Sequence, residues 1–136
     1  MSSNKTFSSA ANIDFDQFDT DAITEQDKAH FLHPWQIFDT FTEDGALPIA
    51  AAEGLFIYDS NGKKYLDAVG GLWCTNIGLG REEMADAIAD QVRQMAYASP
   101  FVDMTNVPAA TLAAKLAELA PGDLNHVAFS CGGSTA

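Results

Sequence analysis

The sequence predicts an α/β protein. Helical and extended patterns alternate toward the C-terminus, between residues 82 and 129. Two runs rich in aromatic and β-branched residues flank an Asn-Gly pair over residues 55–67, which reads as a β-hairpin. The composition is that of a packed domain, 47% apolar and 10% aromatic over 136 residues. The hairpin looks like part of something separate from the alternating layer.

The first dozen residues are polar and small, and are expected to be mobile or to lie across another surface. The acidic run from Asp14 to Asp21 alternates with Ile13, Phe15 and Phe18. It has two readings, a solvated arm with aromatic anchors or an arm that wraps a partner subunit. Thr24 with Asp27 three residues on suggests a helix start, with helix through Phe31 and a limit at Pro34. Leu55 to Asp59 and Lys63 to Asp67 form the two hairpin strands. Four glycines between residues 70 and 80 require turning or a close backbone approach. Glu82 to Tyr97 reads as a helix, with Met84, Ile88, Val92 and Met95 on one stripe. A second helix starts at Asn106 as N-cap, carries Pro108 in its first turn and ends at Pro121-Gly122. Val127-Ala128-Phe129 is expected to be a short buried strand.

Charge excludes several functions. The chain has 7 Lys and Arg against 19 Asp and Glu, a net charge of −12. Residues 1–45 hold a net of −7. A nucleic-acid surface or an anionic membrane surface needs a basic face that this balance does not provide. No apolar run approaches the roughly 20 residues of a membrane span, and no secretory signal is visible. Cys74 and Cys131 make a poor disulfide framework, so a reduced, cytoplasmic setting is expected.

Two stretches carry candidate chemistry. The segment Ser130-Cys131-Gly132-Gly133-Ser134-Thr135 follows an expected strand. Such a place exposes backbone N–H groups to an anion, commonly a phosphate, and glycine lets the anion reach them. The same run also occurs in ordinary loops. The second stretch is Gly70-Gly71-Leu72-Trp73-Cys74-Thr75-Asn76-Ile77-Gly78. Its tryptophan either plugs a core or walls an apolar ligand pocket. Cys74 has no basic neighbour in sequence to activate it. His30 and His33 lack a third ligand nearby, so no metal site is expected.

In order and spacing, four stretches resemble the N-terminal portion of a class III aminotransferase of the ω-transaminase or amine–pyruvate type. They are His30 to Trp35, the hairpin Gly54 to Asp67, the run Gly70 to Arg81, and Phe129 to Ala136. The resemblance implies the aspartate-aminotransferase-like architecture (fold type I) and the cofactor pyridoxal 5′-phosphate. It implies that Gly132, Gly133 and Ser134 hold the cofactor phosphate. It places Leu72, Trp73 and Phe101 against the substrate, small amines and oxo acids such as pyruvate. It implies a homodimer or higher assembly, and a division into an arm (1–23), a small-domain segment (24–78) and the start of the large cofactor domain (79–136).

In the family, the lysine that carries the cofactor, the aspartate facing the pyridine nitrogen and a carboxylate-binding arginine come after the phosphate loop. None of Lys5, Lys28, Lys63, Lys64 and Lys115 matches that lysine, so no residue here is assigned a catalytic role. The chain is expected to be inactive without the remaining C-terminal segment of the same enzyme. Aminomutase, decarboxylase or racemase chemistry on the same cofactor, or a non-enzymatic interaction fragment, are the alternatives.

Overall fold

The computed structural model describes residues 10–37, 41 and 43–136. Of the first dozen residues, expected to be mobile or to lie across another surface, residues 1–9 lie outside them, while Ala10–Asn12 form a 3-10 turn with Ala10 buried. The chain divides into two compact units, the first ending at Ala87 and the second Ile88–Ala136.

The first unit is built on a three-stranded antiparallel sheet in the order β1 (Ile49–Glu53), β2 (Phe56–Asp59), β3 (Lys64–Leu66). The hairpin strands pair as expected, with Ile57 opposite Tyr65 and Tyr58 opposite Lys64. Strand β1, Ile-Ala-Ala-Ala-Glu, was not legible as a strand, because alanine has little strand preference of its own. It forms because β2 offers it a ladder, with Ala52 opposite Ile57 and Glu53 opposite Phe56. The small side chain of Ala51 is buried there.

Asp59 organises the turn between β2 and β3. Its carboxylate accepts the N–H groups of Asn61 (3.0 Å) and Lys63 (2.9 Å) and the Tyr65 hydroxyl (2.8 Å). Burial would raise this carboxyl. The Lys63 N–H, the Tyr65 hydroxyl, the Asn61 N–H and the Lys63 charge together outweigh burial and hold it below its ordinary value.

The N-terminal segment closes on this same turn. The Thr20 hydroxyl lies 2.7 Å from the buried Ser60 hydroxyl and donates to the Asn61 side chain at 3.1 Å. The Phe15 ring packs 6.2 Å from the Tyr58 ring. Helix α1 (Thr20–His30) starts earlier than the Thr24 cap expected from sequence. Asp19 is the cap, accepting the Ala22 N–H at 3.0 Å, and the Thr24 hydroxyl bonds back to the Thr20 carbonyl. Residues 20–23 are themselves helical, so Thr24 lies inside the helix and Asp19 stands at its start, where the dipole favours a negative charge. His33 lies past the helix, off the face of His30, with Nε2 3.0 Å from both Asp27 carboxylate oxygens.

The glycine-rich stretch makes the close approach it requires. Gly54 and Leu79 exchange N–H to carbonyl bonds at 2.9 Å in both directions. A Cβ on Gly80 would lie 3.0 Å from the Ala52 carbonyl oxygen. Arg81 then holds the loop, donating to the Ile77 carbonyl at 3.0 Å and pairing with Glu83. The Glu83 hydrogen bond raises the Arg81 pKa and lowers that of Glu83.

Helix α2 (Glu82–Gln94) stops three residues short of the expected Tyr97. Helix α3 (Val107–Leu119) has the expected cap, with the Asn106 side chain accepting the Ala109 N–H at 2.9 Å. None of their residues is fully buried among the described residues, so the stripes of Met84, Ile88 and Val92 and of Leu112, Leu116 and Leu119 stay open. The strand expected at Val127-Ala128-Phe129 is absent, and Phe129 is exposed. A parallel strand exists only through its neighbours' hydrogen bonds, and no described segment offers them.

The Asp59 contacts give an acid-side prediction. Its folded pKa is depressed, so its contribution is fully present above the ordinary carboxylate value of 3.8 and is lost as pH falls through the lower folded value. Hydrogen-exchange protection of the Asn61 and Lys63 amides, corrected for intrinsic rates, should fall across that window. Asp59→Asn should remove the pH dependence.

Candidate functional site

The segment Gly70–Trp73 forms a single helical turn, and its hand is left. The φ angles of Gly70, Gly71, Leu72 and Trp73 are +58°, +58°, +63° and +65°. Glycine occupies this region at little cost, whereas each ordinary L-residue in a left-handed helix costs about 1–2 kcal/mol. Leu72 and Trp73 therefore sit under strain that the surrounding bonds must offset. The Asp67 carbonyl accepts the Gly70 N–H (3.2 Å) and its carboxylate accepts the Gly71 N–H (2.8 Å). The Trp73 N–H reaches the Val69 carbonyl at 2.9 Å, and the Cys74 and Thr75 N–H groups reach the Gly70 carbonyl at 3.0 and 3.1 Å. The Cys74 thiol donates to the Gly71 carbonyl.

The turn presents Leu72 and Trp73 outward, at 59% and 75% exposure. Trp73 plugs no core in this structure. Phe101, 75% exposed, precedes Val102, another L-residue at positive φ (+62°). A β-branched residue in that region is an outlier, and such outliers concentrate at functional segments. Both segments expected to face a substrate thus carry backbone strain. Leu72 and Trp73 belong to the first unit, while Phe101 and the Gly132-Gly133-Ser134 run belong to the second.

At the end of the second unit, the Gly132 carbonyl accepts the N–H groups of Thr135 (3.0 Å) and Ala136 (3.2 Å). The Thr135 hydroxyl accepts the Gly132 N–H at 3.1 Å and donates to the Gly132 carbonyl at 2.7 Å. The Thr135 hydroxyl is therefore occupied within the turn, although the sequence offered it as a free donor. The Gly133 and Ser134 N–H groups donate to nothing among the described residues. A Cβ on either glycine would meet no atom within 4 Å, so the space above these amides is open. Two unpaired amides, a free serine hydroxyl and open space fit a phosphate group. A cleft of about 630 Å³ in this unit lies elsewhere, between residues such as Gln91, Met95, Asn106 and Leu112.

Among the described residues no three His, Cys, Asp or Glu side chains converge as a metal site. No described helix is long and apolar enough to cross a membrane.

Comparison with known proteins identifies the class. The family model described as aminotransferase class-III matches residues 41–136. The chain belongs to the class III aminotransferases. It is 42% identical over 107 residues to the putrescine–pyruvate aminotransferase of Pseudomonas aeruginosa, a match covering 79% of this chain and 24% of that one. An (S)-enantioselective ω-transaminase from Thermomicrobium roseum superposes with a TM-score of 0.83 at 38% identity, covering 86% of this chain and 26% of that one. An ω-transaminase from Pseudomonas jessenii in complex with PMP gives a TM-score of 0.79 at 32% identity, over 82% and 25% of the two chains. The chain spans about a quarter of the length of the relatives it matches. The α/β architecture expected from sequence is that of the N-terminal part of these transaminases.

The strain at Gly71 is testable. Its φ is +58°, and a Cβ there would sit 2.7 Å from Thr75 Cγ2. In the complete protein, Gly71→Ala should lower stability by about 1–2 kcal/mol, read from the unfolding midpoint. Adding Thr75→Ser, which removes Cγ2, should recover part of that loss.

Proposed function

We propose that this sequence belongs to a cytoplasmic enzyme that moves an amino group from an amine or ω-amino acid to an oxo acid such as pyruvate. The observation that carries the reading is the pair of unpaired amides at Gly133 and Ser134, in a class III aminotransferase chain. When bound, pyridoxal 5′-phosphate supplies an electron sink at the carbon that loses or gains nitrogen. In this reading the Gly133 and Ser134 N–H groups and the Ser134 hydroxyl hold its phosphate. Gly132 contributes by its small size and by the carbonyl that shapes the turn, since its N–H is engaged by Thr135.

In this reading Leu72 and Trp73 wall the amine pocket and Phe101 also faces substrate; all three side chains are exposed. The apolar stripes on α2 and α3 pack against the rest of the enzyme, which also supplies the lysine, aspartate and arginine of the family. The working assembly is a homodimer or larger. The division into an arm (1–23), a small-domain segment (24–78) and the start of the cofactor domain (79–136) belongs to the same reading. The putrescine–pyruvate relative supports an amine donor and a pyruvate acceptor.

The test uses the complete protein loaded with pyridoxal phosphate. Adding an amine should abolish the absorbance of the bound aldehyde form, and adding pyruvate should restore it. A spectrum unmoved by any amine would overturn the reading.

Two variants probe the residues. Ser134→Ala should weaken cofactor binding about tenfold, the size expected for one hydrogen bond to a charged group. Trp73→Ala should change the ratio of kcat/KM for bulky over small amines by about tenfold or more, with cofactor affinity within about twofold. Equal loss of both properties would count against Trp73 in the pocket.

A further inference from the structure

The hand of the Gly70–Trp73 turn is not set by the residues that form it. The two glycines accept either hand, and Leu72 and Trp73 oppose the left one. The decision falls to the bonds at its ends. The closing end is made by backbone carbonyls of Val69 and Gly70, which any sequence supplies. The opening end is made by one residue, Asp67, which takes the Gly70 N–H on its carbonyl and the Gly71 N–H on its carboxylate. A carboxylate accepting a backbone N–H makes a charge-assisted bond, stronger than a neutral one. Asp67 follows directly on β3, and its own N–H is anchored to the Leu55 carbonyl at 2.9 Å. The sheet thus fixes Asp67, and Asp67 fixes the first two amides of the turn.

From this geometry we infer that Asp67 is a positioning residue for amine selection. Its carboxylate holds the left-handed turn that aims Leu72 and Trp73. The inference rests on the reading that these two side chains wall the amine pocket. Asp67 touches no substrate in it and acts through the turn. Without the carboxylate, the Gly71 N–H loses its partner and the two glycines are free to let the turn rewind, which swings the indole away.

The experiment uses the complete protein with three variants and two readouts. Hydrogen exchange at the Gly71 amide reports on the turn, independently of catalysis. The ratio of kcat/KM for a bulky over a small amine reports on selection. Asp67→Ala should raise Gly71 exchange and reduce that ratio, each by about tenfold. Asp67→Asn keeps an acceptor oxygen and should hold both within about threefold of the parent. If Asp67→Ala does not fold, Asp67→Glu carries the test, because one added methylene displaces the carboxylate and should move both readouts in the same direction. Unchanged exchange at Gly71 would overturn the inference. So would faster exchange with unaltered selection, when Trp73→Ala alters selection in the same assay. If Trp73→Ala also leaves selection unaltered, the pocket reading fails and the inference about Asp67 falls with it.

Discussion

A left-handed turn of four residues is the constraint on which the placement of Leu72 and Trp73 depends. Glycine visits this conformation freely as a single residue, while runs of it are rare because each residue with a Cβ opposes it. The chain supports the run by placing two glycines first, where the hand costs little, and the two bulky residues second. Bonds to Asp67, Val69, Cys74 and Thr75 tie the N–H groups of Gly70, Gly71 and Trp73 and the carbonyls of Gly70 and Gly71. The result is a leucine and a tryptophan that project from a short spur. A right-handed turn at the same place would send both side chains in other directions.

The sheet gives that spur its footing. Asp59 gathers three donors in the β2–β3 turn, and Thr20, Ser60 and Phe15 lock the N-terminal segment against it. Strand β3 leads straight into Asp67. The Gly54–Leu79 exchange ties the return of the glycine-rich loop to the end of β1. In both candidate segments the useful groups are backbone amides and apolar faces, and no titratable side chain among them performs chemistry. That suits the proposed reading, in which these segments hold a cofactor and face a substrate.

Local signals were legible in the sequence where chemistry decides locally. The Asn106 cap with Pro108, the hairpin about Asn61-Gly62 and the close approach of residues 78–80 follow from residue type alone. Strand β1 was hidden because alanine marks no strand by itself and the ladder comes from β2. The cap of α1 is Asp19, because the helix begins one turn before Thr24 and the Thr24 hydroxyl turns back to the Thr20 carbonyl. Val127-Ala128-Phe129 carries a strand pattern with no described neighbour to pair with. The hand of the Gly70–Trp73 turn was the least legible feature, because two glycines permit either hand and the deciding acceptor, Asp67, looks like an ordinary loop aspartate. Of the candidate site, the residue types at Gly132-Gly133-Ser134 were readable, while the engagement of the Gly132 N–H by Thr135 arises only in the folded turn.

The central claim is that the Gly133 and Ser134 amides are the phosphate contact of a bound cofactor. A crystal structure of the complete protein with pyridoxal 5′-phosphate tests it most directly. The account predicts phosphate oxygens within hydrogen-bond distance of both amides and of the Ser134 hydroxyl. A cofactor bound with its phosphate on other groups, and these amides facing water, would contradict it.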